Sequence, residues 1–594
     1  MYKTGSVNAT SLGKIRSSNM LCKTALLAVS VVSLSSLSGA AVIVPGATWV
    51  DTSGNVIQAH GGGILKVGST WYWHGEDKAH NGGTFRAVSC YSSPDLTTWT
   101  RHNDALTPVA GGNISTNNLV ERPKVIYNKA NSEYVMWFHS DSSNYGAAQV
   151  GVATAKTPCG PFSYRGSFRP LGAESRDMGI YQDDDAAQTA YLLYASDNNQ
   201  NFKISRLDAN YYSVVTQVSV ISKSTFESPG IIKRNGVYHL FASHTTGWDP
   251  NPNKVVTASS LSGPWSAEQD IAPRATRTYF SQNTYNLLLN QNTAIYMGDR
   301  WRPNLLGSSR YIWYPLVWGS NNLPTIVASD VWSVNLDNGV TTAAAGTTYE
   351  AEKGSLSGNA RLLNNTGFSG GVAVGYIGNG GSVTINNVQG IGADQWISLY
   401  YANADSGWRD TTISVNGGTA VRVDQPNTGG GGVVLSVPVK LNLRSGTNTI
   451  TIGAGQSNYA ADLDKIIVIR VSCYDHSLSS PSVGGGSSSM PKSVKWKPYQ
   501  TLDHTAEELL ERSSALAVTL LWTTVAALAP EFQAGLEQTD DMQLSLAAGL
   551  RSTSNSKEAA EPIIWCSRSC AFVRSAPEST MAIVFLACIS MRFY

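Results

Sequence analysis

Charge is scarce in this chain. Asp, Glu, Lys and Arg make up 14% of its 594 residues, and 43 basic against 42 acidic side chains leave a formal net charge of +1. Such a balance supplies no cationic surface for nucleic acid or for an anionic membrane. Long apolar runs are also missing: the stretch from Ala25 is too short and too rich in serine to span a bilayer. No helical periodicity competes with strand patterns before residue 470. No P-loop or dinucleotide fingerprint stands in a strand–turn–helix context, and no histidines carry metal-ligand spacing. Nothing suggests a nucleophilic Ser or Cys. Of the seven cysteines, Cys566, Cys570 and Cys588 lack zinc spacing. Cys90 and Cys159 could pair, which sequence alone leaves open.

What is abundant is glycine (55), tyrosine (26) and tryptophan (16). Few charges with many glycines and aromatics suit all-β domains rich in turns, and the length suggests several of them. Flat Tyr and Trp faces also suit the C–H face of a pyranose, although most of them are expected in cores and strands. Residues 20–40 read as a signal peptide: Lys23 near the start, the apolar stretch from Ala25, then small residues Ser38 to Ala41. A secreted, extracellular protein is therefore expected, and disulfides are permissible. Cys22 would leave with the signal, and residues 1–19 read as an upstream extension. Asn113 and Asn364 stand in N-glycosylation sequons.

Over 42–335 one pattern recurs five times: a short apolar strand, a turn, and an aromatic-rich strand. The copies are Gly61–Glu76, Arg122–Ser140, Asp177–Ser196, Ser228–Ser243 and Thr284–Arg300. Repetition of this kind predicts a radial array, a five-bladed β-propeller. The residues just ahead of the inner strands should converge on one pocket: His60, Glu121, Arg176 with Asp177, Glu227, and Gln282 with Asn283. The most telling of them is Glu227, in Phe226-Glu-Ser-Pro-Gly230, where Pro229 is expected to push Ser228 into extended geometry. A lone acid at a strand mouth is usually a turn cap or an ion-pair partner. Several at equivalent repeat positions point to function, because like charges in one pocket raise at least one carboxyl pKa, as a general acid requires. Paired carboxyls across a sugar pocket suggest glycoside cleavage.

These residues carry a resemblance. His60-Gly-Gly-Gly-Ile64, Trp73-His-Gly-Glu76, Ser92 to Trp99, Val120-Glu-Arg-Pro-Lys-Val125, Arg176-Asp-Met-Gly179, Phe226 to Gly230 and Ser281-Gln-Asn283 are similar to glycoside hydrolase family 43, and within it to the fungal exo-β-1,3-galactanases. The wider family has an Asp as general base on the first inner strand, and this chain has His60 and three glycines there instead. That departure fits the galactanase branch, which uses a Gln in place of a base. The resemblance implies release of galactose from the non-reducing end of β-1,3-galactan, the arabinogalactan backbone, with inversion. It makes Glu227 the general acid and Gln282 the group that positions water or, as an imidic acid, activates it. Glu121 and Asp177 would tune the acid and hold the sugar, and Glu76 and Tyr145 would contact galactose. Chemistry alone keeps Glu121 as a rival base. Another specificity of the same fold (arabinofuranosidase or xylosidase) and a non-catalytic sugar-binding propeller are the alternatives. The partner is a polysaccharide, catalysis needs no cofactor, and a monomer is expected.

After a small-residue linker at 336–346, residues 347–472 show short alternating strands with Gly-rich turns, the pattern of a β-sandwich (jelly-roll). Tyr349-Glu-Ala-Glu352 sets Glu350 and Glu352 at alternate positions, and with Asp464 they could supply oxygen ligands to Ca²⁺. Two such acids are more often plain solvated residues. This unit resembles carbohydrate-binding module family 35, which implies structural Ca²⁺ at that trio and sugar contacts from Tyr376, Arg409, Tyr459 and Asp462, with Asp405 a weaker candidate. Residues 473–594 read as a Gly/Ser linker followed by a mispredicted or disordered tail.

Overall fold

The computed structural model describes residues 42–470. The segments read as upstream extension, signal peptide and tail therefore lie outside the described residues. The described chain is all-β. Five four-stranded antiparallel sheets follow one another, each with its strands in chain order. Their inner strands are His60–Val67, Asn118–Asn128, Met178–Gln182, Phe226–Arg234 and Gln282–Asn290. These strands neighbour one another cyclically, the fifth returning to the first.

The ring closes because each sheet is apolar on both faces. Val88 and Cys90 of the first sheet share a buried cluster with Met136 and Phe138 of the second. Trp137 packs with Tyr194 between the second and third, Phe202 with Phe226 between the third and fourth, and Phe241 with Tyr296 between the fourth and fifth. A further cluster unites first and fifth sheets through Trp73, Trp99, Met297 and Trp313, and the N-terminal Ile43 joins it. Ile43 also bridges to Trp332 by backbone hydrogen bonds, which ties the two ends of the ring region together. Cys90 and Cys159 form a disulfide, with Cα atoms 5.5 Å apart.

A shared irregularity stands at the start of the inner strands. Register slips between His60 and Gly63, Glu121 and Lys124, Glu227 and Gly230, and Asn283 and Tyr285. Such bulges re-aim side chains at a strand end. In the first three, the second residue adopts left-handed geometry: Gly61 at φ +60°, Arg122 at +56° and Ser228 at +52°. Ser228 is thus not extended, contrary to the expectation from Pro229. The pre-proline bias is a local preference, and the bulge that carries Glu227 to the ring mouth overrides it.

Beyond the ring, a six-stranded and a five-stranded sheet share one core. Ile397, Leu399, Val437 and Ile466 from the larger sheet meet Val383, Ile385, Ile413 and Ile450 from the smaller. The segment at 336–346 is partly strand, since Thr341–Ala343 pairs with Trp332–Val334.

Gly62 tests the bulge at the first strand. A Cβ there would lie 1.8 Å from the His74 carbonyl oxygen and 2.9 Å from the Gly75 Cα. Gly62→Ala should lower stability by roughly 2–4 kcal/mol in urea unfolding. Gly407→Ala, in open space, should stay within about 0.5 kcal/mol of wild type.

Candidate active site

At the bulged end of the ring is a cavity of about 340 Å³. Glu76, Glu121, Tyr145, Asp177, Glu227 and Gln282 all line it, contributed by different sheets. The bulge at Glu121 lets two successive side chains reach the cavity, so Arg122 lines it as well. Arg122 Nη2 lies 2.9 Å from Asp177 Oδ2 and donates to Gln282 Oε1 at 2.7 Å. Its backbone N–H donates to Glu76 Oε1 at 3.0 Å, while Glu76 Oε2 pairs with Lys78 Nζ at 2.7 Å. Asp177 Oδ2 also accepts from Ser228 Oγ at 2.9 Å.

Gln282 is pinned in one orientation. Its Oε1 accepts from Arg122 and from Trp301 Nε1 at 2.9 Å, and its Nε2 donates to Ser243 Oγ at 3.1 Å. Guanidinium and indole N–H groups are donors only, so the atom facing them must be the amide oxygen.

The carboxyls are placed in contrasting surroundings. Burial pushes Glu121 up, but the hydrogen bond and charge of His139, with Lys78 and Arg122, outweigh it and hold Glu121 at about 2. His139 Nδ1 lies 3.0 Å from Glu121 Oε2 and its Nε2 2.9 Å from Asp141 Oδ2. Against its own burial, these two acids raise His139 to about 9, so it is an imidazolium. The other Glu121 oxygen accepts from Tyr145 Oη at 3.1 Å. Among the described residues Glu227 has only Asn199 Nδ2, at 3.3 Å, as a hydrogen-bond partner. Burial, then the charges of Asp177 and Glu121, push it up to about 8, partly offset by Arg122 and His139. At neutral pH Glu227 therefore holds a proton beside ionised neighbours. Oxygen and nitrogen atoms of Glu121, His139 and Asp177 lie within 4.8 Å of one another, a spacing that suits a cation. The His139 imidazolium and the Arg122 guanidinium already supply that positive charge.

Two residues expected in the pocket are elsewhere. His60 is fully buried, with Nδ1 3.0 Å from Asp299 Oδ1 and its ring stacked on Tyr311 at 4.8 Å. The space beside it belongs to Glu76, since a Cβ on Gly61 would lie 2.1 Å from Glu76 Oε1. Asn283 is also buried and donates to the Ser228 carbonyl at 2.7 Å. Conversely, His139, Asn199, Trp248 and Trp301 line the cavity without having been singled out. Arg122 and His139 stand inside recognised repeat segments, yet nothing in their spacing separates them from ordinary strand residues. Trp248 is 41% exposed and meets Trp301 edge-on at 5.3 Å, forming an aromatic wall.

In the two-sheet domain, the expected sugar contacts also gather. Tyr376 and Tyr459 meet edge-on at 5.9 Å, and each is more than a third exposed. Arg409 donates to the Ala460 carbonyl at 2.8 Å and to Asp405 at 2.7 Å, and its charge acts on Asp462. Of the expected calcium ligands, Glu350 and Asp464 meet at Ser369. Ser369 Oγ is 2.6 Å from Glu350 Oε2 and 3.0 Å from Asp464 Oδ1, so one hydroxyl proton faces two carboxylates. Burial pushes Asp464 up, and Glu350 adds to it. Glu352 Oε2 is buried with no hydrogen-bond partner among the described residues. The Ser369 backbone N–H also donates to Asp464 at 2.8 Å, and Lys465 and Lys353 stand 3.8 Å from Asp464 and Glu352, so oxygen acceptors still outnumber close donors, as suits a hard cation.

Comparison with known proteins places this geometry. The model of glycosyl hydrolases family 43 matches residues 60–288. A crystal structure of the exo-β-1,3-galactanase of Phanerochaete chrysosporium with galactose is 69% identical, covers 72% of this chain and 100% of that chain, and superposes with a TM-score of 0.71. A variant of that enzyme crystallised with β-1,3-galactotriose matches with the same values. A β-D-galactofuranosidase of Aspergillus niger is 31% identical over 197 residues, 30% of this chain and 54% of that protein, so the match spans about half the length of this curated relative. With a solved member matched over its full length at this identity, and a protonated carboxyl facing ionised ones in the cavity, the chain belongs to glycosyl hydrolases family 43 and is a glycoside hydrolase.

Proposed function

We propose that this protein is a secreted exo-β-1,3-galactanase that removes galactose from the non-reducing end of β-1,3-galactan with inversion. The observation that carries the reading is Glu227, raised to about 8 in a cavity that holds an amide, Gln282, among its other polar groups. The galactose and β-1,3-galactotriose complexes of the Phanerochaete chrysosporium enzyme support the substrate. In this reading the five sheets are the blades of a propeller, and the two-sheet domain is a β-sandwich binding module. Tyr376, Arg409, Tyr459 and Asp462 form its sugar site. Secretion is supported by the signal-like segment and by the Cys90–Cys159 disulfide.

Glu227 gives its proton to the glycosidic oxygen as the C1–O bond breaks and the leaving sugar departs as an alcohol. Water attacks C1 from the opposite face and passes its proton to a second, solvent water. Gln282 orients the attacking water. Its oxygen is occupied by two donors, so the O–H of an imidic acid would find no acceptor there. The oxocarbenium-like transition state asks for an aligned water more than for a strong base. Glu121, held at about 2 with His139 and Tyr145 on its two oxygens, is a weak base for a carboxylate. Asp177 raises Glu227 by its charge and is itself fixed by Arg122. Tyr145, Glu76 and the wall of Trp248 and Trp301 enclose the sugar. A second reading, as a galactofuranosidase, draws on the Aspergillus niger relative. In the binding module we propose that Glu350, Glu352 and Asp464 hold a structural Ca²⁺, which would take the oxygens that Ser369 and the more distant Lys353 and Lys465 leave free.

Proton NMR of the first anomer released from linear β-1,3-galactan should show inversion, with galactose as the first product. Glu227→Gln should lower turnover on galactan by about 10²-fold or more, and a panel of aryl galactopyranosides, galactofuranosides, arabinofuranosides and xylosides should favour the first. Retention, or faster turnover of a furanoside, overturns the assignment. Because Glu227 must be protonated, kcat/KM should fall as pH rises through about 8. Asp177→Asn removes a negative neighbour, so Glu227 ionises at lower pH, and the alkaline limb of the profile should move down. Calcium at a hundredfold excess over its Kd should raise stability by about 2.7 kcal/mol, read as a higher Tm against EDTA. Glu352→Gln should abolish that shift.

A further inference from the structure

Between the ring of sheets and the two-sheet domain lies a cleft of about 390 Å³, apart from both the hydrolytic cavity and the tyrosine pair. Its charge is one-sided. Arg302 pairs with Asp424, and Arg422 pairs with Asp410. Arg300, Arg310 and Lys440 also line the cleft, and among the described residues none of them forms an ion pair.

The two arginines are held by neutral groups. Arg300 is 4% exposed and donates from Nε to the Phe280 carbonyl at 3.3 Å and from Nη2 to the Tyr279 carbonyl at 2.9 Å. Its Nη1 has no hydrogen-bond partner among the described residues. A Cβ on Gly46 would come within 3.2 Å of that Nη1, so glycine keeps the space before it open. Arg310 donates from Nη1 to the carbonyls of Ser308 and Ser309 at 2.6 and 3.1 Å. Backbone carbonyls orient a guanidinium without discharging it. Burial pushes both groups below the usual arginine range, and at Arg310 the Asp424 carboxylate, which is paired with Arg302, offsets this only in part. A buried charge without a partner is costly unless something in the site compensates it.

The walls narrow the choice of ligand. Trp396 and Trp408 line the same cleft, with the Lys440 ammonium 5.8 Å from the Trp396 ring. An inorganic anion would need the guanidinium groups alone. A pyranose carrying a carboxylate would use both features, its ring against indole and its carboxylate on paired N–H donors.

We propose that this cleft binds an anionic saccharide, with the carboxylate of a hexuronic acid residue on Arg300 and Arg310 and its ring beside Trp396. The cleft would retain acidic branches of a polysaccharide while the ring cavity hydrolyses a neutral chain. The inference draws on membership of a glycoside hydrolase family and not on galactan as the substrate, so the two stand or fall separately.

Titration calorimetry on the full chain, with excess galactose present to fill neutral-sugar sites, tests it. Methyl β-D-glucuronide should bind saturably, and methyl β-D-glucoside and sodium sulfate at least about tenfold more weakly, equivalent to one charge-assisted contact. Arg310→Gln should weaken glucuronide about tenfold, and Lys440→Gln less, with hydrolysis of neutral substrate unchanged by either. Arg300→Gln, whose side chain also braces the Tyr279–Phe280 turn, serves as a second removal of the same contact. No saturable glucuronide binding, sulfate binding as tight as glucuronide, or glucuronide affinity indifferent to both arginine substitutions would each overturn the proposal.

Discussion

One guanidinium holds the mouth of the ring together. Arg122 belongs to the second sheet, yet its backbone N–H reaches Glu76 of the first, and its Nη2 reaches Asp177 ahead of the third and Gln282 of the fifth. The fourth sheet joins through Ser228, which donates to the same Asp177 oxygen. Burial alone would discharge such a group, but Asp177, Glu76, Asp299 and Glu121 together raise its pKa above the ordinary arginine value. A neutral side chain in its place would take from Asp177 its ion-pair partner at the cavity, which is costly where the site is buried.

The chemistry of the cavity follows from where that cation is not. Asp177 takes the ion pair with Arg122, and Glu121 takes the His139 imidazolium. Glu227 is left with an amide, so burial and its acidic neighbours dominate and it keeps its proton. Carboxyls in one pocket thereby acquire opposite protonation states, as acid catalysis near neutral pH requires. The same logic, reversed in sign, marks the cleft between the two domains. There acids pair with Arg302 and Arg422, and among the described residues Arg300 and Arg310 form no ion pair.

Much of this was legible before any coordinates. Strands with aromatic alternation, repeated five times with a polar residue ahead of each, point to a ring and to a common pocket, and Glu121, Asp177, Glu227 and Gln282 do share one cavity. Two residues at formally equivalent positions, His60 and Asn283, do not, because bulges and crowding by Glu76 turn them into the core. The partners that set pKa values, Arg122 and His139, were not singled out. Their importance lies in distances across sheets, and a strand pattern carries no information about those.

The sequence by itself determined the class of fold, the repeat, and the identity of the acids, because period-two alternation and turn residues are local properties of the chain. Only the tertiary structure decided which acid stays protonated, which atom of the Gln282 amide faces Arg122, and that Ser228 leaves the extended region after all. Protonation state and amide orientation are set by groups that are remote in sequence and adjacent in space. A local preference such as that of a pre-proline residue yields when packing across the ring demands another geometry.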